Sequence, residues 1–385
     1  MWLTGPLYFN GFVALVPWLH LAAFVSATLL LAWQSKLSGL SRTGVVSICL
    51  AAMTSTALFK ITNEIVPESL ALSFGLASVT ATLWAARSQR PTFPQLAIFA
   101  ACGACYLLRP IYLPLMVALP ALFHVVGGRQ IKRTATLAVF LAAALPFLLF
   151  SSVRLVLCKD FNVVSFGGYQ ASGMASFMLT PDVLKRFPSD VHETAAKMLA
   201  LRTTAEQRGS IIGIPRNSDG VRSFASAAIA YPDVLARGYD DVLNLNATLR
   251  DKNEPWIAFN ARLMKADTAI FAKAPVSYAE WVAGATARFF GHAIIINPSM
   301  LIALALLLLS RLPPVSTKPH ASGNDVKLLT TIALAWLFSG GLLSVAASFP
   351  AQRYIDSSSV LLSSIPFYFF VGFVERLFVR RRVSA

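Results

Sequence analysis

Apolar runs of about twenty residues, each long enough to cross a bilayer, recur along this chain and leave it few possible folds. Nine spans are expected, at about 11–33, 43–60, 67–86, 94–109, 110–127, 134–157, 286–310, 328–348 and 357–378. Inside lipid, every backbone N–H and C=O must find a partner within the protein, so only helices and closed barrels cross it. These runs are continuous rather than alternating in polarity, which selects helices. The expected fold is therefore all-α, a polytopic transmembrane helix bundle of about nine spans. Composition agrees: only 13% of residues are charged, against about a quarter in soluble domains.

The loops between spans set an orientation. Lys36 and Arg42, Arg87 and Arg90, then Arg129, Lys132 and Arg133 occupy alternate connections. Arg311, Lys318 and Lys327 follow in the same phase, and Arg376 with Arg380–Arg382 closes the chain. The positive-inside rule puts all of these in the cytoplasm. The carboxyl terminus is then inside, while the amino terminus and the long 158–285 loop are outside. That loop carries 14 Lys/Arg and 13 Asp/Glu of the chain's 33 and 18. The remaining 19 basic and 5 acidic residues thus hold nearly all of the +15 net charge, placed beside membrane spans. Such a distribution excludes nucleic acid as a partner and points to membrane lipids.

Three regions are expected: an amino-terminal bundle over 1–157, a mostly helical extracytoplasmic module over 158–285, and a carboxyl-terminal bundle over 286–385. In the module, Phe166–Gly173 is glycine-rich and reads as irregular. Helices are expected near 189–208, 219–237 and 256–274, the last with Ile257, Ala261, Met264 and Ile270 in helical phase. Pro275 interrupts it, and a further helix near Tyr278 is expected at the membrane surface. Asn246-Ala-Thr248 matches a glycosylation acceptor at chance level. Cys102-Gly-Ala-Cys105 has redox-motif spacing but sits within a span, where small residues pack helix interfaces.

Charge kept near a bilayer is costly and usually functional, which marks four clusters. The first is Lys60-Ile-Thr-Asn-Glu64-Ile-Val-Pro67-Glu68, where Pro67 and Glu68 suit the start of a helix. The same two carboxylates, Glu64 and Glu68, could instead hold sugar hydroxyls or a divalent cation, the one cofactor left open. The second is Arg109-Pro110-Ile-Tyr112, whose arginine could snorkel to headgroups, pair with Glu64 or Glu68, or grip a phosphate. The third is Arg154 with Lys159 and Asp160, either an interfacial anchor or a holder of lipid phosphate. The fourth is Gln352-Arg353-Tyr354-Ile-Asp356, where Arg353 is the leading candidate for phosphate or pyrophosphate. No H-E-x-x-H spacing, P-loop or G-x-S-x-G elbow is present, which disfavours a soluble nucleotide-dependent enzyme.

Pro67-Glu68-Ser-Leu at the outer start of a span, Leu-Leu-Arg109-Pro110, and the late Gln352-Arg353-Tyr354 together resemble polytopic glycosyltransferases of the GT-C superfamily. Ala-Ile-Phe-Ala-Lys-Ala-Pro275-Val-Ser-Tyr278 is similar to the helix-then-Pro-x-x-Tyr segment that returns such chains to the membrane. The resemblance implies a sugar taken from a polyprenyl-phosphate carrier at the outer face of a membrane, here a bacterial inner membrane. Arg353, Lys159 and Arg109 would then steady the lipid phosphate, and Glu68 or Glu64 would bind acceptor or metal. Members of that superfamily usually carry Asp or Asp-Glu in the first outer loop, whereas this chain has no acid before Glu64. A chain that begins one span late, or a degenerate relative without the base, is the expectation that follows. The alternatives are a surface-polysaccharide ligase or polymerase using lipid-diphosphate glycans, and a transporter.

Overall fold

The computed structural model describes residues 15–58, 67–128, 132–164, 166–210, 232–309, 323–347 and 352–383. Every regular element among them is helical. The chain divides into two compact units: a first formed by 1–149, 292–342 and 352–385, and a second by 150–291 and 343–351.

Among the described residues five helices are long and apolar enough to cross a membrane, so the chain reads as an integral membrane protein. They are α1 (Leu15–Leu37), α3 (Pro67–Arg87), the segment Pro110–Gly127 that contains α5 (Leu115–Gly127), α6 (Arg133–Cys158) and α14 (Gly323–Ala347). The number rises to six if Pro275–Ile295 and Pro298–Leu308 together form one bent span. Two further apolar helices are shorter, α2 (Arg42–Met53) and α4 (Thr92–Leu108). The short lengths have local causes. Pro110 disfavours helical geometry at Arg109, which is extended (φ −149°, ψ 102°) and ends α4. Near the carboxyl end, α15 (Gln352–Ser358) and α16 (Ser364–Val383) are separated by a turn at Ser359–Ser363, inside what reads in sequence as one span.

In the first unit α3 is the central helix, packed on α1, α4 and α5. Its apolar window is 72% buried, against 28% for α6. A buried membrane helix must satisfy its hydroxyls, and α3 does so on its own backbone for four of its five, Ser69 Oγ having no partner among the described residues. Ser73 donates to Ser69 O, Ser78 to Gly75 O, Thr80 to Leu76 O and Thr82 to Ser78 O, at 2.6–2.9 Å. Cys102 and Cys105 are buried in α4 and all four cysteines are free. Cys105 donates to Ala71 O at 3.3 Å, so this pair packs the α3–α4 interface.

The second unit contains α7 (Gly167–Met178), α8 (Pro181–Leu184), α9 (Ser189–Gln207), α10 (Pro232–Ala247), α11 (Trp256–Lys273) and α12 (Pro275–Gly291). Two expected helices, 189–208 and 256–274, appear where periodicity puts them. Most of the expected 219–237 helix lies outside the described residues. The reading of Phe166–Gly173 as irregular is corrected: it forms most of α7. Its glycines are there for contact rather than flexibility. A Cβ at Gly168 would strike Asn260 O and the backbone of Met264, so α7 lies directly on α11. Asn260 Oδ1 accepts from Tyr169 N at 3.1 Å and secures the start of α7. Asn246 is buried and donates to Ser172 and Ser176, which leaves its amide inaccessible to glycosylation in the folded unit.

Candidate functional site

Three separated stretches of the first unit converge on one carboxylate. Pro67 opens α3 with a ring that suits the first helical position, and Glu68 follows in the first turn, facing the positive end of the helix dipole. Burial nevertheless goes beyond what a helix start needs, because Glu68 is only 1% exposed. Arg109, freed from α4 by the proline after it, donates through Nη2 to Glu68 Oε1. Arg353, in the first turn of α15, brings its Nε to 3.4 Å from the same oxygen. Its guanidinium lies 5.1 Å from the centre of the Tyr354 ring, a cation–π distance.

The electrostatics are asymmetric. Two guanidinium charges meet one carboxylate, so these three side chains sum to about +1. Arg353 is half-exposed at 52% while Glu68 is closed off. Among the described residues, buried Glu68 Oε2 and Arg109 Nε have no hydrogen-bond partner. A polar atom buried without a partner typically costs 1–3 kcal/mol, and such sites often await a further group.

An aromatic and glycine-based footing sits under Arg353. Tyr112, 2% exposed, stacks on Trp336 of α14 with ring centroids 5.4 Å apart. Trp336 Nε1 donates to Ser357 O at 2.9 Å, tying α14 to α15. Gly75 and Gly340 leave room for this arrangement. A Cβ on Gly75 would overlap the Trp336 ring, and one on Gly340 would overlap Ser358 Oγ. The hydroxyls of Ser357 and Ser358 donate to Tyr354 O at 3.1 and 2.6 Å, which tightens α15 around its arginine.

Of the candidates named from sequence, the structure brings together Glu68, Arg109 and Arg353, with Tyr354 against Arg353. Tyr112 lies in the packed layer next to them rather than at the surface. Glu64 lies outside the described residues. Lys159 and Asp160 belong to the second unit. There Asp160 accepts from Arg154 Nη2 and from Asn162 Nδ2, both at 2.8 Å. Lys159 has φ +57° and donates its backbone N–H to Leu155 O, so it terminates α6. Asp356 is buried. Among the described residues no three His, Cys, Asp or Glu side chains converge as a metal site. The divalent cation left open by the sequence also meets a physical obstacle at Glu68, since two guanidinium groups already occupy its Oε1.

Trp336, Gly75, Gly340 and Ser357 were not among the sequence candidates. The one signal available was the Gly340-Gly341 pair inside an apolar run, which is a packing mark rather than a chemical one. No family model, curated protein or solved structure matches this chain.

Proposed function

We propose that this protein is a membrane glycosyltransferase of GT-C type that takes a sugar from a polyprenyl-phosphate carrier and transfers it to an extracytoplasmic acceptor. Nine spans, with the amino terminus and the 158–285 loop outside, belong to this proposal. The observation that carries it is the sharing of Glu68 Oε1 by Arg109 and Arg353. A polyprenyl-phosphate sugar is a phosphodiester bearing one negative charge, which balances the net charge of about +1 at this cluster. A diphosphate-linked glycan would overcompensate it, which favours the glycosyltransferase over the ligase or polymerase. As the sugar leaves, the carrier phosphate gains charge, and preset guanidinium donors in a water-poor site stabilise that charge. Arg353 is the donor best placed to reach it, and Glu68 holds it against Arg109.

Membranes containing the full chain should transfer labelled sugar from a polyprenyl-phosphate donor. Loss of one charge-assisted hydrogen bond, about 1.5–3 kcal/mol, predicts a fall of at least tenfold in Arg353→Ala. Undiminished transfer by that variant removes the role given to Arg353.

One observation favours a second reading, a transporter. The chain is interrupted at Asn297, between the π-helical turn His292–Ile296 and α13 (Pro298–Leu309), and again at Ser359–Ser363. These two breaks are joined, because Asn297 Nδ2 donates to Ser359 Oγ at 2.9 Å. Paired broken helices are a device of transporters. Solute uptake into proteoliposomes that is unaffected by Arg353→Ala would support this reading against the first.

A further inference from the structure

The first unit holds a cavity of about 230 Å³ that the cluster around Glu68 does not use. It is lined by Ser38 and Gly39 after α1, Val125 and Val126 at the end of α5, and Asn324, Lys327 and Leu328 at the start of α14. All three helices are, or belong to, segments apolar enough to cross a membrane, so the cavity lies where spans end. Gly39, with φ +97°, turns the chain tightly there and has nothing within 4 Å of where a side chain would start. The lining is half apolar and half polar, as a site straddling acyl chains and headgroups must be.

Charge decides what would enter it. Lys36, Arg42, Lys132 and Lys327 lie in or within about six residues of the three lining segments, Arg87 reaches the first of them, and all are exposed. Among the described residues none of these five forms an ion pair with an acid. Arg87 donates to Gln34 Oε1 and Leu37 O instead. Two acids are described at this end, Asp325 and Glu375. Asp325 accepts from Ser41 N at 3.2 Å and from Tyr368 Oη at 2.9 Å. Glu375 accepts from Thr43 Oγ1 at 2.6 Å. Five exposed cations against two acids, with Lys327 in the lining of an amphipathic notch between membrane helices, suit an anionic lipid headgroup.

We propose that this cavity binds the headgroup of an anionic phospholipid, with Lys327 on its phosphate and Val125, Val126 and Leu328 against the first acyl carbons. A zwitterionic headgroup carries its own cation into the same field and is disfavoured. The site is independent of the sugar-transfer reading.

The test uses the full chain in lipid nanodiscs of phosphatidylcholine with a minor fraction of phosphatidylglycerol. Native mass spectrometry after detergent release counts retained lipids. One phosphatidylglycerol should stay with the protein in preference to phosphatidylcholine. Lys327→Glu reverses the charge and Asn324→Trp fills the notch while leaving every charge in place. Each should cut retention roughly tenfold or more, since a basic residue near the surface contributes about 1 kcal/mol and reversal counts twice. Arg90→Glu, which changes the same net charge away from the lining, should retain the lipid. Equal retention in Lys327→Glu and Asn324→Trp overturns the proposal. So does equal loss in Arg90→Glu, which would mean diffuse attraction, or displacement of the lipid by inorganic phosphate, which would mean a soluble-anion site.

Discussion

Arg109 and Arg353, from opposite halves of the chain, meet at a single carboxylate oxygen of Glu68. Two like charges are held together there only because a buried acid lies between them.

Removing that acid should therefore cost more than removing either base. Glu68→Gln leaves two guanidinium groups facing each other at a closed site, a loss of about 3–5 kcal/mol by analogy with broken buried ion pairs. Arg353→Gln removes a half-exposed, solvent-screened partner and should cost about 1 kcal/mol. Thermal unfolding in detergent checks the order. A larger loss in Arg353→Gln than in Glu68→Gln would contradict it.

Charge at the cluster should set ligand preference. With Glu68 the sum is about +1, and Glu68→Gln raises it to about +2. Binding of polyprenyl diphosphate relative to polyprenyl phosphate should then rise roughly tenfold or more in the variant. Fluorescent-lipid titration at fixed ionic strength measures the ratio, and an unchanged ratio would show that the cluster does not meet the phosphate.

The footing under Arg353 gives a suppressor pair. Gly340→Ala places a methyl group into Ser358 Oγ, and overpacking of this kind typically costs 1–3 kcal/mol. Displacing α15 should also uncouple Arg353 from Glu68. A double-mutant cycle between those residues should lose its coupling in Gly340→Ala and recover it when Ser358→Ala removes the hydroxyl. Failure of Ser358→Ala to restore any coupling would mean that the notch does not set the height of α15.

Asp267 on α11 makes the second unit pH-sensitive. It is fully buried, and among the described residues neither carboxylate oxygen has a partner. Burial holds its carboxyl well above the usual carboxylate range. The folded unit thus keeps the proton more tightly than the unfolded chain does. Below the unfolded pKa of about 3.9 the two states are protonated alike and nothing is lost. As pH rises past it, the unfolded chain ionises first and folding loses stability. Asp267→Asn should flatten this dependence and stabilise the unit at neutral pH by about 1–3 kcal/mol. Glu254 runs the opposite way: its hydrogen bond from Arg262 holds it below the usual range, a stabilisation present above its unfolded pKa and lost as pH falls. Hydrogen exchange of α11 against pH, in wild type and Asp267→Asn, measures the first effect. Identical slopes would refute it.

Local signals in the sequence were the dependable ones. Pro67-Glu68 marks the start of α3 and Arg109-Pro110 marks the end of α4, because a proline ring acts on its immediate neighbours. Periodicity located α11, and the expected helix at 189–208 located α9, to within a residue or so at each end. Glu68, Arg109 and Arg353 stood out as costly charges near lipid, but no local signal says that they share one oxygen. Glycine content misled in the opposite direction. In Phe166–Gly173 it suggested a loop, whereas the small residues let α7 press against the backbone of α11, a partner nearly a hundred residues away. The break at Ser359–Ser363 was hidden for a related reason. Serines are tolerated in an apolar run, and only Asn297 on Ser359 and Ser299 on Ser363 show that they belong to a turn.

The self-contained hydroxyls of α3 bear on how the bundle is assembled. A segment that answers four of its five Ser and Thr groups on its own backbone asks little of a companion on entering lipid, so α3 can insert before α4 has been synthesised. What it leaves unanswered are the Ser69 hydroxyl and the carboxylate of Glu68 in its first turn. The matching arginine follows 41 residues later, so the closing of that pair is a late event of biogenesis that joins helices already embedded.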